Sequence, residues 1–266
     1  MDRRTSPTAP SLPARLTLDL GTRLAYLDDL GPIPLEDPRV FEAIAEVYTR
    51  SGWGARYSYG FAWFGRPVIQ LPEDLVRLQE AVYALQPDVV IETGIAHGGS
   101  LVFYASLLRA IGHGRVIGID VEIRPHNRQA LEEHPLRSLF TLVEGSSLAA
   151  ETVARVRGLV QPGERVFLVL DSAHGRDHVL AELEAYSGLL TVGDYIAVAD
   201  GIMRDVVGLP RSQPDWDANN PASAVATFLQ NHPEFERGTP PRPFDETSGL
   251  PDVVTYSRSG WLRRIG

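Results

Sequence analysis

The fold is decided by the stretch Val89-Val90-Ile91-Glu92-Thr93-Gly94-Ile95-Ala96-His97-Gly98-Gly99-Ser100. Its apolar β-branched start favours a buried strand over the start of a helix. Gly94 permits a tight turn or a close backbone approach to a ligand. Gly98 and Gly99 precede a helix that begins near Ser100, so free backbone N–H groups would lie beside a positive helix end. Because the acid Glu92 ends the strand, we predict a nucleotide-like ligand site, with a plain strand-to-helix turn as the alternative.

The spacing of the glycines argues against a dinucleotide site. Dinucleotide-binding proteins place the compact pattern G-x-G-x-x-G directly after a strand. Here three residues separate Gly94 from Gly98, and Glu92 leads the motif. The resulting pattern, E-x-G-x-x-x-G-G-S, resembles the first motif of class I methyltransferases of the catechol O-methyltransferase kind, which use S-adenosylmethionine (SAM). The resemblance implies that SAM is the ligand.

Composition excludes several classes of protein. The chain has 266 residues, of which 44% are hydrophobic and 22% charged, as in ordinary globular proteins. Its net charge of −9 argues against a nucleic-acid partner and against an anionic membrane surface. The absence of cysteine excludes disulfides, thiolate metal sites and a Cys nucleophile. No apolar run is long enough to span a membrane, and no signal peptide is visible, so we expect a cytoplasmic protein.

Two parts of the chain differ in character. Residues 1–66 are predicted to form an N-terminal helical arm, and residues 67–266 the main domain. The arm begins with a loose segment before Pro13, and is expected to hold a short helix within Arg15–Leu30 and another over Val40–Tyr48. It ends in an aromatic stretch, a candidate lid or subunit contact, that comprises Trp53, Tyr57, Tyr59, Phe61, Trp63 and Phe64.

The main domain alternates strands with helices. The strands are predicted over Val89–Glu92, Val116–Asp120, Phe140–Val143, Val166–Leu170 and Tyr195–Ala199. The helices are predicted from Pro72 to just before Pro87, then over Ser100–Ile111, His126–Glu133, Ala149–Leu159 and Asp177–Tyr186. This alternation predicts an α/β, Rossmann-like fold with a mostly parallel central sheet and helices on both faces. Ligands of such sheets bind at the carboxyl ends of the strands.

The last quarter of the chain has a different pattern. A long loop is predicted over Arg204–Ala218, and loops of this length are often functional. A helix is predicted next over Pro221–Gln230, with Asn219 or Asn220 as its cap. We expect Val253–Ser257 and Trp261–Ile265 to form a closing antiparallel hairpin.

An acid ends or directly succeeds every predicted strand of the sheet, and these acids are Glu92, Asp120, Glu144, Asp171 and Asp200. Asp120 could accept two hydrogen bonds from vicinal ribose hydroxyls, a role that serves NAD proteins as well. Glu122 is a less favoured substitute. Ser146 lies two residues after Glu144 and could border an adenine or cap the next helix. Solvated strand ends are the alternative for all of these acids.

The segment after the fourth strand carries the candidate chemistry. Asp171 and Asp200 could bind Mg²⁺, which prefers carboxylate oxygens. Such a cation would lower the proton affinity of a substrate hydroxyl. His174 could be the general base, a metal ligand or a solvated capping residue. His178, one helical turn later, could orient His174 or a ligand.

The chain from about Phe64 onwards resembles the cephalosporin hydroxylase/rhamnosyl O-methyltransferase family of SAM-dependent methyltransferases. The matching segments are 67–74, Ile91–Ser100, Gly118–Asp120, Leu170–His174, His178–Val179, Ala197–Asp200, Asn220–Leu229 and Gly260–Arg264. The resemblance implies an O-methyltransferase for a hydroxyl of a natural-product sugar or a related small molecule. It also implies a divalent cation at Asp171 and Asp200. The SAM-binding residues would be Glu92, Gly94, Ser100, Asp120, Ser146 and Asp171.

One position departs from the family pattern. The fifth strand of the family usually ends in Glu-Asp, whereas this strand ends in Ala199-Asp200. Magnesium could still bind to Asp171 and Asp200 with help from His174 or water. Alternatively, the enzyme works without a metal, with His174 as base and Asp171 as its partner. An NAD-dependent oxidoreductase and a non-catalytic methyltransferase-like scaffold stay open as other functions. Because the arm could swap between subunits, we expect a homo-oligomer.

Overall fold

The computed structural model describes residues 13–28, 30–247, 250 and 252–266. The predicted loose segment before Pro13 lies outside these residues. The strands are β1 (Leu16–Asp19), β2 (Leu24–Leu27), β3 (Ile33–Pro34), β4 (Phe61–Trp63), β5 (Arg66–Val68), β6 (Val89–Thr93), β7 (Arg115–Asp120), β8 (Phe140–Glu144), β9 (Val166–Leu170), β10 (Tyr195–Val198), β11 (Phe235–Arg237) and β12 (Trp261–Arg264). The helices are α1 (Pro38–Ala55), α2 (Pro72–Leu85), α3 (Gly99–Ile111), α4 (Pro125–Glu132), α5 (Ala150–Leu159), α6 (Arg176–Tyr186) and α7 (Pro221–Asn231).

A seven-stranded sheet organises the main domain. Its strand order is β11-β12-β10-β9-β6-β7-β8, and the five strands from β6 to β10 are parallel. From β6 the chain builds outwards through β7 and β8, and then crosses to the other side of β6 to form β9. The strand order therefore reverses between β6 and β9, and the crevice at such a switch point is where ligands of open α/β sheets bind.

Both faces of the sheet are covered by apolar layers, as the predicted α/β fold requires. One layer joins the sheet to α2 and α3 and contains the buried side chains of Leu78, Phe103 and Tyr104. The other joins it to α6 and α7 and contains Leu183 and Phe228. Strands buried on both faces explain why β6 and β9 are apolar along most of their length. The predicted fold class is confirmed.

The N-terminal region differs from the prediction in one element. Residues within Arg15–Leu30 form the antiparallel strands β1 and β2 instead of a helix. The turn between them is fixed by Asp19, whose Oδ1 accepts hydrogen bonds from the backbone N–H groups of Gly21 and Thr22, 3.0 Å away in each case. The predicted helix at Val40 is confirmed as α1, with Asp37 as its N-cap. The division of the chain at residue 66 stays a prediction.

The C-terminal antiparallel pair is confirmed, but one of its strands was assigned wrongly. Strand β12 pairs with β11 and with β10, whereas Val253–Ser257 forms no strand. Instead, Thr255 donates its hydroxyl, and Tyr256 its backbone N–H, to the buried carboxylate of Asp74 on α2. These bonds replace the ladder bonds that a strand at this position would make.

The aromatic stretch divides between core and surface. Trp63 packs against Phe103 with ring centroids 5.0 Å apart, and its Nε1 donates to the hydroxyl of Ser106. Tyr57, Tyr59 and Phe64 are exposed. A role of this stretch as a lid or subunit contact stays a prediction. No helix within the described ranges combines the length and the apolar character needed to cross a bilayer.

Candidate active site

The loops after β6 and β9 are in direct backbone contact at the switch point. The N–H of Asp171 donates to the carbonyl of Thr93 over 2.9 Å. Gly94 has a φ of +83°, and a Cβ on it would overlap the carbonyl oxygen of Asp171. Gly99 is equally constrained, because a Cβ there would overlap the carbonyl oxygen of Pro67. Close packing of the backbone therefore requires glycine at both positions, whether or not a ligand is bound.

Side chains from three other elements hold the glycine loop. The Oδ2 atom of Asp120 accepts the backbone N–H groups of Ile95 and Ala96, 3.0 Å away in each case. Arg66 on β5 donates to the carbonyl of His97 over distances of 2.6 and 3.0 Å. The Asn127 amide, from α4, donates to the carbonyl of Ala96 and accepts from Arg66. Asp120 thus anchors the loop at the tip of β7, a role that the sequence did not reveal.

Glu92 is a fully buried carboxylate without a partner. The side chain has no exposed surface, and neither oxygen has a hydrogen-bond partner among the described residues. Burial raises the pKa of Glu92 to about 8, and the negative charge of Asp120 adds to the rise, while the nearby Ser100 hydroxyl offsets part of it. A buried, unsatisfied acid costs free energy, so its presence beside the glycine loop at the switch point of the sheet indicates a ligand group that it can bind.

Three candidate metal ligands meet between β9 and β10. One ligand atom from each of Asp171, His174 and Asp200 lies within 4.8 Å of the other two. The His174 Nε2 and Asp200 Oδ2 atoms are 3.4 Å apart. All three residues are half-buried, which leaves room for a further ligand. The sequence predicted Asp171 and Asp200 as metal ligands and left His174 open as a base, a ligand or a capping residue, and the geometry places it with the two acids.

The two carboxylates of this cluster are electrostatically strained. Burial raises the pKa of Asp171 well above its usual range, and the charges of Asp200 and Glu92 raise it further. Gln70 donates to Asp171 Oδ2 over 2.9 Å and only partly offsets this rise. Asp200 sits in the left-handed region at a φ of +56°, which is uncommon for a residue with a Cβ. A cation between the two carboxylates would remove their repulsion, so the donor set fits a hard divalent metal.

The remaining predicted site residues lie close to this rim in different roles. Ser146 is exposed, and its hydroxyl accepts the N–H of Leu148 at 3.4 Å. It does not cap the next helix, because Ala149 occupies the N-cap of α5. Ser100 lies in the first turn of α3 beside Glu92.

His178 contacts Ser172 and Glu182, and it makes no hydrogen bond or ion pair with His174. Its Nε2 lies 3.2 Å from the hydroxyl of Ser172 and 3.3 Å from a carboxylate oxygen of Glu182, which is fully buried. Glu182 in turn accepts the hydroxyls of Ser172 and Thr93. The prediction that His178 orients His174 therefore finds no support, and His178 instead braces the segment behind Asp171.

The comparisons with known proteins point to one family. The family model described as Rhamnosyl O-methyltransferase/CmcI matches residues 55–265. A rhamnosyl O-methyltransferase of Mycobacterium bovis (strain BCG / Pasteur 1173P2) is 32% identical over 200 residues, which are 73% of this chain and 77% of that protein. Its Mycobacterium leprae (strain TN) counterpart is 31% identical over 176 residues, or 65% of this chain and 74% of that protein.

Solved structures share the fold. An apo structure of CmcI superposes with a TM-score of 0.53 at 20% identity, covering 78% of this chain and 77% of that one. A CmcI structure with Mg and SAM has the same TM-score at 18% identity and covers 78% of each chain. At these identities the likeness establishes the architecture of the sheet and its helices.

The raised pKa of Glu92 predicts a pH dependence of stability in the ligand-free protein. The folded chain holds this proton between pH 4.5 and about 8, where the unfolded chain has released it, so stability falls as pH rises through this window. We expect Glu92→Gln, which is neutral at every pH, to gain stability relative to the wild type as pH rises across it. The gain should reach a few kcal/mol, because one pKa unit corresponds to about 1.4 kcal/mol.

Urea denaturation between these pH values would measure this difference. Glu122→Gln is the matched control, because Glu122 is exposed, and its difference from the wild type should stay constant. A pH-independent difference for Glu92→Gln would show that Glu92 is ionised in the folded, ligand-free chain.

Proposed function

The chain belongs to the rhamnosyl O-methyltransferase/CmcI family, and on this premise we propose that it transfers the methyl group of SAM to a hydroxyl oxygen of a natural-product sugar or a related small molecule. One observation supports the placement of the site most strongly. Glu92 is buried without a partner among the described residues, next to the glycine loop at the switch point of the sheet. Family membership favours methyl transfer over the NAD-dependent alternative.

SAM would lie against the glycine loop and supply the methyl group. Glu92 would accept hydrogen bonds from polar groups of SAM at the base of the cleft. Asp120 uses Oδ2 for the loop, and its Oδ1 makes a long contact, of 3.3 Å, with the N–H of Glu122. That oxygen retains lone pairs for a ribose hydroxyl. Gly94, Ser100 and Ser146 border the same cleft in this proposal, and Asp171 faces the reactive end.

Asp171, His174 and Asp200 would hold the divalent cation. Bound there, Mg²⁺ would polarise the acceptor hydroxyl and lower its pKa. The loss of the family's acid at Ala199 is offset in this arrangement by His174, because Nε2 of His174 already lies beside Asp200. This compensation supports an active enzyme over a non-catalytic scaffold.

The residues of the chain then have separate tasks in the reaction. A new bond forms between the acceptor oxygen and the methyl carbon as the sulfur–methyl bond breaks, and the hydroxyl proton must leave. His174, whose Nε2 lies 3.4 Å from Asp200 Oδ2, would be the base if it does not ligate the metal, and a carboxylate or water would take the proton if it does. The rigid backbone contact between Gly94 and Asp171 fixes the donor loop relative to the acceptor loop, and such positioning supplies much of the rate of a two-substrate reaction. Homo-oligomeric assembly and a cytoplasmic location stay predictions.

Direct titration tests the SAM site. We expect isothermal titration calorimetry to detect SAM binding by the wild type and a loss of about tenfold or more in Asp120→Ala, because the variant removes a charged hydrogen-bond acceptor and releases the loop. Glu122→Gln is the control, since Glu122 is the alternative ribose ligand and its side chain is exposed. Unchanged affinity in Asp120→Ala, or loss in Glu122→Gln instead, would contradict the assignment.

The role of His174 can be separated from that of the carboxylates by measuring metal binding and turnover together. Asp171→Asn and Asp200→Asn should each lower Mn²⁺ affinity, measured by electron paramagnetic resonance, and should abolish methyl transfer. If His174 is a ligand, His174→Ala lowers Mn²⁺ affinity as well. If it is the base, metal affinity is kept while kcat falls by roughly 10²–10⁴-fold. Activity that survives EDTA would exclude the cation from this proposal.

A further inference from the structure

A large cavity lies next to the turn that follows Asp200, and none of the residues assigned to the SAM site lines it. Its volume is about 1100 Å³, and its walls come from α1, α2, α7, β11 and described residues within 238–247, 250 and 252–261. Asp171, His174 and Asp200 do not line it. Arg204 does, and it belongs to the 3-10 turn Gly201–Val206, which begins directly after Asp200. The cavity therefore adjoins the segment that carries one of the proposed metal ligands.

The charged side chains of the cavity fall into two groups. Acids come from α1 and α2, and these are Glu42, Glu46, Glu73 and Asp74. Arginines come mainly from the opposite end of the sequence, and these are Arg204, Arg237, Arg242 and Arg258, with Arg77 on α2. Asp252 also lines the cavity. The cavity is thus lined by five acids and five arginines, most of which come from opposite ends of the sequence.

Most of these arginines are neutralised within the protein. Arg77 and Arg242 both pair with Asp252, over 3.0 Å for Arg77. Arg258 pairs with Glu46 at 2.8 Å and with Asp205 at 3.0 Å. These ion pairs hold α1, α2 and the C-terminal segment together.

The charges of Arg204 and Arg237 are less fully neutralised than those of the other cavity arginines. Arg237 makes no ion pair among the described residues, and its Nη1 donates to the carbonyl of Ser259 over 2.9 Å. Arg237 keeps an exposed surface at the end of β11. Desolvation on its cavity side and the positive charge of Arg204 both lower the pKa of Arg237, and no carboxylate counters them within the described part of the chain. Arg204 contacts the adjacent Asp205 at 3.3 Å, and that acid is already paired with Arg258.

Two under-neutralised guanidinium groups in one cavity repel each other. Proteins keep such pairs where an anion is bound, since the planar fork of arginine donates two parallel hydrogen bonds to a carboxylate or phosphate. The first turn of α7, with Ala222 and Ser223, lines the same cavity and adds a potential of the same sign. The volume of about 1100 Å³ is sufficient for a small molecule, and Arg204 joins this wall to the turn that begins after Asp200.

We propose that the acceptor carries an oxyanion, either a carboxylate or a phosphate. Arg204 and Arg237 bind this oxyanion in the cavity while the hydroxyl of the acceptor faces Asp171, His174 and Asp200. Calling the bound molecule an acceptor rests on the proposed O-methylation, but the anion site itself stands on the arginine pair. Arg204 and Arg237 would then decide which hydroxylated molecules are methylated.

Calorimetric titration of the intact protein with sodium acetate and with sodium phosphate, at constant ionic strength, tests the site without knowledge of the acceptor. The wild type should bind at least one anion saturably in the millimolar range, as expected for two charged hydrogen-bonding groups. The anion that binds more tightly identifies the carboxylate or the phosphate as the recognised group. Arg204→Gln and Arg237→Gln should each weaken binding about tenfold.

Two further variants keep the experiment decisive. Arg109→Gln removes the same charge from an exposed position on α3, outside the cavity, and should leave anion affinity unchanged within about twofold. Arg237→Lys keeps the charge and should retain more affinity than Arg237→Gln. No saturable binding by the wild type, or equal weakening in Arg109→Gln, would overturn the proposal. A protein that binds the anion but not SAM would refute the methyl-transfer function and leave the anion site standing.

Discussion

The site depends on the repulsion among carboxylates that the sheet brings to one rim. Glu92, Asp171 and Asp200 lie at the ends of three strands. Burial and the charges of Asp200 and Glu92 raise the free energy of ionising Asp171, and burial and the charge of Asp120 do the same for Glu92. In the ligand-free chain the cost of burying an unpaired carboxylate is met by protonation, and burial is the main reason that the pKa of Glu92 rises to about 8, with a smaller contribution from the charge of Asp120. Cationic and hydrogen-bonding ligands offer another solution, and a divalent cation between Asp171 and Asp200 provides one. The buried acids at this rim thus lower the stability of the ligand-free fold, as the residues of functional sites commonly do.

The architecture around the rim keeps these acids from moving apart. The overlap that a Cβ on Gly94 would make with Asp171 shows how closely the two loops approach. Asp120, Arg66 and Asn127 fasten the glycine loop from three elements. Behind Asp171, buried Glu182 accepts the hydroxyls of Ser172 and Thr93, so the second loop is braced as well. Rigid supports of this kind hold catalytic groups at fixed separations.

The sequence predicted the parallel sheet well because its strands are apolar on both faces and their lengths are set by flanking Gly and Pro. It predicted the acids at the strand ends for the same reason, since the end of an apolar run also locates the polar residue that comes next. It did not predict Arg66, Gln70 or Asn127, whose roles arise from contacts between distant segments. It also missed strands β1 and β2, although Leu16, Leu18 and Leu20 alternate with polar residues as in a strand, and Asp19 fixes the turn that follows. The strand at Val253–Ser257 was wrong because Asp74, far away in sequence, captures that segment.

The central claim is that this carboxylate rim holds a sulfonium nucleoside and a divalent cation. A crystal structure of the protein grown with S-adenosylhomocysteine and Mn²⁺, with anomalous data at the manganese edge, tests it most directly. We expect nucleoside density along the glycine loop with a ribose hydroxyl on Asp120, and an anomalous peak about 2.0–2.4 Å from oxygens of Asp171 and Asp200. A rim without either density at saturating ligand, or a peak bound to other residues, would contradict the claim.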